Sequence, residues 1–157
     1  MTFDEAFEQL IGHEGGYVLD SLDPGGETKF GISKRSYPGE NIANLTLERA
    51  KAIYLRDYWG PAGGDTVPAD IRFMLFDMAV NQGVKTAIRA LQHVAGVGED
   101  GILGPVTLQA LQSMPAERLL FRFTAARLVA YTRADDLRWG RFGRGWVKRV
   151  ASNMMEV

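Results

Sequence analysis

The stretch Ala69-Asp70-Ile71-Arg72-Phe73-Met74-Leu75-Phe76-Asp77-Met78-Ala79-Val80-Asn81 decides the fold. Between Ile71 and Val80 only Arg72 and Asp77 are polar, and the run is too long for a buried strand. A helix that is apolar on nearly every side belongs in the interior. The expectation is a central buried helix over 69–95 with a lobe on either side. Its polar exceptions, Asp77 and Asn81, are four residues apart and therefore share a face.

N-terminal to this segment, Leu47, Ala50, Ile53, Tyr54 and Tyr58 recur on one side of a helix starting near Thr46 and ending at Trp59-Gly60-Pro61. Further back, Asp23-Pro24-Gly25-Gly26 is a turn signal, and Thr28-Lys29-Phe30-Gly31-Ile32-Ser33 alternates as a small β-hairpin arm would. The first helix opens on Thr2 and Glu5, a capping box. Phe3, Ala6, Phe7, Leu10 and Ile11 form its apolar stripe, and Gly15-Gly16 is expected to stop it. The next position on that stripe holds Glu14, a carboxylate where the pattern asks for a core residue.

On the C-terminal side a Gly-rich break over 96–104 precedes Pro105, which suits a helix's first turn. A longer helix is expected over about 116–134, and an aromatic and basic segment over 139–150. The predicted fold is mainly α (α+β), two lobes around a long buried helix with a β-hairpin arm. It is read as one domain spanning residues 1–157. Within it, an N-terminal portion (residues 1–68) holds the candidate chemistry and the arm, the central helix covers 69–95, and a helical portion covers 96–157.

Composition narrows the function. A chain of 157 residues with 46% apolar content can bury its own core. Without cysteine, disulfides, thiolate metal sites and cysteine nucleophiles are excluded. The only histidines, His13 and His93, cannot build a three-histidine centre, and Glu99-Asp100-Gly101 lacks the spaced acids of a calcium loop. No metal or cofactor is expected, and no run of apolar residues is long enough for a membrane span. The acidic start Met1-Thr2-Phe3-Asp4-Glu5 does not read as a signal peptide, so synthesis in the cytoplasm is expected. Net charge is −1 but uneven: nine basic residues from Arg118 to Arg149 face only Asp135 and Asp136. That polarity fits either an anionic partner or a solvated helix face. No nucleic-acid motif accompanies it.

The candidate chemistry rests on carboxylates in contrasting settings. An apolar environment holds a carboxyl protonated near neutral pH, and Glu14 is placed for that effect. Asp23, in a polar turn, would stay ionised, and Thr28 offers a hydroxyl for a water. Such a pair suits glycoside hydrolysis, with an acid on one side of the sugar and a base on the other. Asp20 and Glu27 compete with Asp23 as the second carboxylate, and a purely structural role for all four is also open.

Gly12-His13-Glu14-Gly15-Gly16-Tyr17, followed by Asp23-Pro24-Gly25-Gly26-Glu27-Thr28-Lys29-Phe30-Gly31-Ile32-Ser33, resembles the signature of the phage-type N-acetylmuramidases of glycoside hydrolase family 108. Tyr58-Trp59, Phe76 through Gly83, and Asp100-Gly101-Ile102-Leu103-Gly104-Pro105-Val106-Thr107 extend the likeness over nearly the whole chain. The last of these is similar to the peptidoglycan-binding segment that ends such proteins. The order Glu14, Asp23, Thr28 also resembles that of the phage-T4-type lysozymes, with the spacing from Asp to Thr off by one.

The resemblance implies a lysozyme-like fold and cleavage of the β-1,4 bond between N-acetylmuramic acid and N-acetylglucosamine. Glu14 would be the acid, and Asp23 and Thr28 its companions. Tyr58 and Trp59 would stack on sugar, and Asn81 would bond N-acetyl groups. Core packing is the competing role for the two aromatics, and for the Trp139, Phe142 and Trp146 cluster. The expected partner is the peptidoglycan glycan strand, with no nucleic acid and no stable membrane insertion. The protein is expected to be a monomer, a phage or prophage endolysin that reaches the wall with the help of a separate holin-like protein. A lytic transglycosylase and a non-catalytic wall-binding module are the rival functions.

Overall fold

The computed structural model describes residues 1–12, the backbone of 17–19, and residues 26–133 and 135–155. The chain is mainly α with a small antiparallel β arm. It divides into two units, Thr2–Asp57 and Tyr58–Val157, the second also taking in Met1.

In the first unit, α1 (Phe3–Ile11) begins with the expected capping box. The Thr2 amide donates to Glu5 Oε2 at 2.7 Å, and the Glu5 amide donates to Thr2 Oγ1 at 3.3 Å. The helix ends sooner than Gly15-Gly16 would have it. Gly12 takes φ 58°, a left-handed value that glycine adopts without strain, and its N–H closes on the Glu8 carbonyl at 3.0 Å. The described stripe ends at Ile11, and the position of Glu14 expected on it lies outside the described residues.

Strands β1 (Tyr17–Leu19), β2 (Glu27–Lys29) and β3 (Ile32–Ser33) form an antiparallel sheet in that order. Lys29 pairs with Ile32, so Phe30-Gly31 is a two-residue turn. Their φ values, 51° and 74°, are the left-handed pair that a type I′ hairpin requires. The Tyr54 hydroxyl donates to the Phe30 carbonyl at 3.0 Å, and a Cβ on Gly31 would lie 2.6 Å from that hydroxyl. Tyr54 belongs to α2 (Leu47–Tyr54), and its buried ring meets Phe7 of α1 edge-on at 5.6 Å. One tyrosine thus ties the arm to both helices. The cap of α2 is Thr46, whose side chain accepts from the Arg49 amide at 3.1 Å.

A π-helical turn, Leu55–Trp59, follows α2. The 3.6-residue spacing puts Tyr58 on the stripe of Ala50 and Tyr54. A π turn takes up one extra residue, so the fully buried position moves to Trp59 while Tyr58 is half-buried. The helix also runs past Trp59-Gly60-Pro61 into a short α3 (Gly60–Ala62), which Gly63 ends at φ 74°.

The single helix expected over 69–95 is three pieces: a 3₁₀ turn (Ala69–Ile71), α4 (Arg72–Gln82) and α5 (Val84–Ala95). Gly83 separates the last two at φ 89°, ψ 145°, outside any helical conformation. The stretch expected to be buried is buried: every residue of α4 from Phe73 to Ala79 is inside. Then come α6 (Pro105–Gln112), α7 (Ala116–Tyr131) and α8 (Asp136–Met155). Met74, Leu75 and Met78 of α4 share a core with Leu91, Leu111, Leu119, Phe123 and Val150 from the other four helices. Among the described residues no helix is long and apolar enough to cross a membrane.

Candidate functional site

Glu14, Asp20, Asp23 and His13 lie outside the described residues. The structure does describe the elements that flank them. Glu14 falls in the sequence between the Gly12 cap of α1 and β1, and Asp23 in that between β1 and β2. Thr28 sits at the middle of the central strand, opposite Val18 on one side and Ser33 on the other. Its half-buried hydroxyl donates to the Gly26 carbonyl at a long 3.4 Å. Glu27 ends the register opposite Leu19, and its carbonyl accepts from the Lys34 amide at 2.8 Å.

Cations hold the rest of this unit. Lys29 Nζ donates to the Ala43 carbonyl at 3.1 Å, which fastens the arm to the loop before α2. Arg49 pairs with Glu40 and Arg56 with Asp57, while the Tyr37 hydroxyl donates to Asp57 at 3.0 Å. The Arg49 hydrogen bond holds the Glu40 carboxyl below its usual range. Arg56, and then Tyr37, do the same for Asp57.

The second unit carries the other candidates. Trp59 is completely buried and packs edge-on against Phe76 at 5.4 Å. Its ring lies where a Cβ on Gly64 would stand, only 2.3 Å away. With no face open to solvent, Trp59 takes the core role rather than that of a sugar platform. Tyr58 is half-buried and Asn81 exposed. The Asn81 amide turns back along its own helix, donating to the Asp77 carbonyl at 2.7 Å and reaching Asp77 Oδ1 at 3.4 Å.

Asp77 does more than the sequence indicated. Only 1% exposed, it pairs with the wholly buried Arg127 of α7. It also accepts from Arg149 Nε at 2.7 Å and from Asn153 Nδ2 at 2.9 Å, both on α8. One carboxylate therefore holds three helices together. Two of the nine C-terminal cations are paired internally with it. The Asp77–Asn81 spacing is the only local sign of this network, since its partners are remote in sequence.

The Asp100–Thr107 stretch is organised by Gln92 of α5, which is also buried. Gln92 Nε2 donates to Asp100 Oδ1 at 2.7 Å and to the Ile102 carbonyl at 3.0 Å, and its Oε1 accepts from the Gly101 amide at 2.8 Å. The Gln92 donor, with the Ile102 amide at 2.8 Å, holds the Asp100 carboxyl below its usual range. Asp100 is thus a loop-building residue. Of the aromatic cluster, Trp146 stacks on Tyr131 at 5.1 Å and packs against the core, while Trp139 and Phe142 beside it are partly exposed. Among the described residues no three His, Asp or Glu side chains gather to hold a metal ion.

Comparison with known proteins accounts for this layout. The family model Glycosyl hydrolase 108 matches residues 7–83, and Predicted Peptidoglycan domain matches 86–151. No curated protein matches the sequence. Among solved structures, Brucella abortus SagA is similar at 34% identity and a TM-score of 0.86, over 96% of this chain and 90% of that one. With both segments matched and 96% of the chain covered by a solved relative, this chain belongs to the glycosyl hydrolase 108 family, a glycosidase with a peptidoglycan domain behind it, and its role is that of a peptidoglycan hydrolase.

Proposed function

We propose that the protein is an N-acetylmuramidase that cleaves the β-1,4 bond between N-acetylmuramic acid and N-acetylglucosamine. In this reading Glu14 gives its proton to the glycosidic oxygen as the C1–O bond breaks. A water that loses a proton to Asp23 adds its oxygen to the anomeric carbon from the opposite face. The product is a reducing N-acetylmuramic acid end of inverted configuration, and the proton on Asp23 returns to Glu14 through solvent. An acid and base working on opposite faces stand about 6.5–9.5 Å apart. Thr28 helps to hold the water. Tyr58 and Asn81, whose side chains reach solvent, contact sugar, and Trp59 supports them from the core.

The observation that carries this reading is that the matched glycosidase segment, 7–83, contains Glu14, Asp23, Thr28, Tyr58 and Asn81 together. Thr28 pairs with Val18 of β1, and in the sequence the two carboxylates fall in the links before and after that strand. A phage or prophage lysin is the proposed setting, since the Glu14 and Asp23 motifs resemble those of phage-type enzymes.

The test is mass spectrometry of purified peptidoglycan digested by the parent and by Glu14→Gln, with a melting scan of each. Reducing N-acetylmuramic acid ends from the parent, lost in a folded Glu14→Gln, are expected. Anhydro ends would make the protein a lytic transglycosylase and remove the role of Asp23. An uncut wall that retains the protein would make it a binding module.

A further inference from the structure

In the second unit a cavity of about 450 Å³ opens between α5 and α7, within the size range of ligand sites. Its floor is made of small residues, Ala90 from α5 and Ala126 and Ala130 from α7. Arg89, Arg122 and Arg133 stand around it, all exposed, and among the described residues none of them forms an ion pair. The one carboxylate in the lining, Glu99, is already held by His93 Nδ1 at 2.7 Å. Phe121 and Val129 also border the cavity, 72% and 55% exposed, an unusual outlay of apolar surface beside free cations. This is a built groove of methyl-lined floor and guanidinium rim, unlike Arg127 and Arg149, which both pair with Asp77.

We infer that this α5–α7 groove binds a short acidic peptide, the stem peptide of the wall polymer, and so holds the enzyme on peptide-bearing strands. The inference rests on the reading of the protein as a peptidoglycan hydrolase. Charge complementarity carries it: several carboxylates separated by small aliphatic side chains match several guanidiniums separated by alanines. Guanidinium groups pair with carboxylates in a planar, two-bond geometry that favours this kind of ligand. Length agrees as well. From Arg122 to the end of α7 at Tyr131 the helix rise spans about 14 Å, the reach of about four extended residues. A bare glycan is a poorer match, because its only carboxylates are the lactyl groups, one to each disaccharide, and Phe121 is the only phenyl ring in the lining to stack on sugar. Every lining residue falls within the segment matched by the peptidoglycan domain, 86–151.

The experiment titrates the full-length protein with a free tetrapeptide, L-Ala-γ-D-Glu-diaminopimelate-D-Ala, by calorimetry and amide NMR. The same is done with Arg122→Glu/Arg133→Glu, whose sites are exposed, and thermal melting confirms that this variant folds. Shifts confined to α5 and α7 and affinity lowered at least about tenfold in the variant are expected. Equal affinity in the two proteins would overturn the proposal. So would binding to peptide-free glycan or to phosphatidylglycerol vesicles in place of the peptide. Turnover is read separately: wall cleavage without peptide binding sinks the groove alone, and peptide binding without cleavage sinks the hydrolase reading.

Discussion

The carboxylate of Asp77 and the guanidinium of Arg127, fifty positions apart, meet inside the second unit with 1% and 0% of their side chains exposed. Removing one partner of such a pair leaves a charge without compensation, at a cost of about 3–5 kcal/mol. Asp77→Asn is therefore expected to lower unfolding free energy by about that much in urea titrations. Arg149, at 38% exposure, keeps water on its guanidinium, and Arg149→Gln is expected to cost only about 1 kcal/mol. Equal losses in the two variants would show that Asp77 does not act through Arg127.

The Phe30-Gly31 turn gives a second prediction. Gly31→Ala places a Cβ at a left-handed φ and 2.6 Å from the Tyr54 hydroxyl. Conformation alone costs about 1–2 kcal/mol, and the clash adds to it by loosening the Tyr54 bond to the Phe30 carbonyl. Phe30→Asn keeps that carbonyl and supplies the residue favoured in a type I′ turn. Gly31→Ala should therefore melt earlier than the parent, and Phe30→Asn at the same temperature or later. A Phe30→Asn variant that melts as early as Gly31→Ala would refute this account of the turn.

These two cases mark how far the sequence can be read. The alternation at 28–33 and the capping box of Thr2 and Glu5 are local, so the arm and the start of α1 are legible. So is burial of α4, because a helix apolar on all sides has nowhere else to go. The ends are harder. Gly12 and the Gly15-Gly16 pair are both chemically able to stop a helix, and the earlier one does so. Gly83 gives no clear stop signal, because a single glycine is tolerated in a helix at modest cost. The π turn at Leu55–Trp59 leaves no mark on a 3.6-residue pattern, so Tyr58 and Trp59 exchange their expected burial. Asp77 reads only as a polar exception beside Asn81, because Arg127, Arg149 and Asn153 come to it through tertiary packing. The proposed catalytic motif, Glu14, Asp23 and Thr28, is legible as a resemblance alone. The α5–α7 groove is not, since its two walls lie some thirty residues apart.

Acid should weaken the first unit. Glu40 and Asp57 have folded-state pKa values lowered by Arg49 and Arg56, from ordinary values of 4.5 and 3.8. A lowered carboxyl stabilises the fold above its unfolded pKa and loses that contribution as pH falls through the folded one. Melting temperature is thus expected to hold from pH 7 to about 5 and to fall below about pH 4. Arg49→Gln removes the partner of Glu40, so its deficit against the parent should be visible at pH 7 and vanish near pH 3. A deficit that persists unchanged in acid would mean that Arg49 acts by packing instead.

Gln92 offers the sharpest single-atom substitution. Its Nε2 donates to Asp100 Oδ1 and to the Ile102 carbonyl, while its Oε1 accepts from the Gly101 amide. Gln92→Glu keeps the shape and the acceptor but replaces the donor with an anionic oxygen facing the Asp100 carboxylate. Gln92 is only 1% exposed, so the substitution buries a charge, and the Asp100 carboxylate and the Ile102 carbonyl lose their donor. The variant is expected to unfold at lower denaturant, and to recover partly in acid as the facing carboxyls take up a proton. Asp100→Asn, which lacks that carboxylate, should relieve much of the loss in the double variant Gln92→Glu/Asp100→Asn. If the double variant is no more stable than Gln92→Glu alone, repulsion with Asp100 is not the cause, and the missing bond to Ile102 carries the effect.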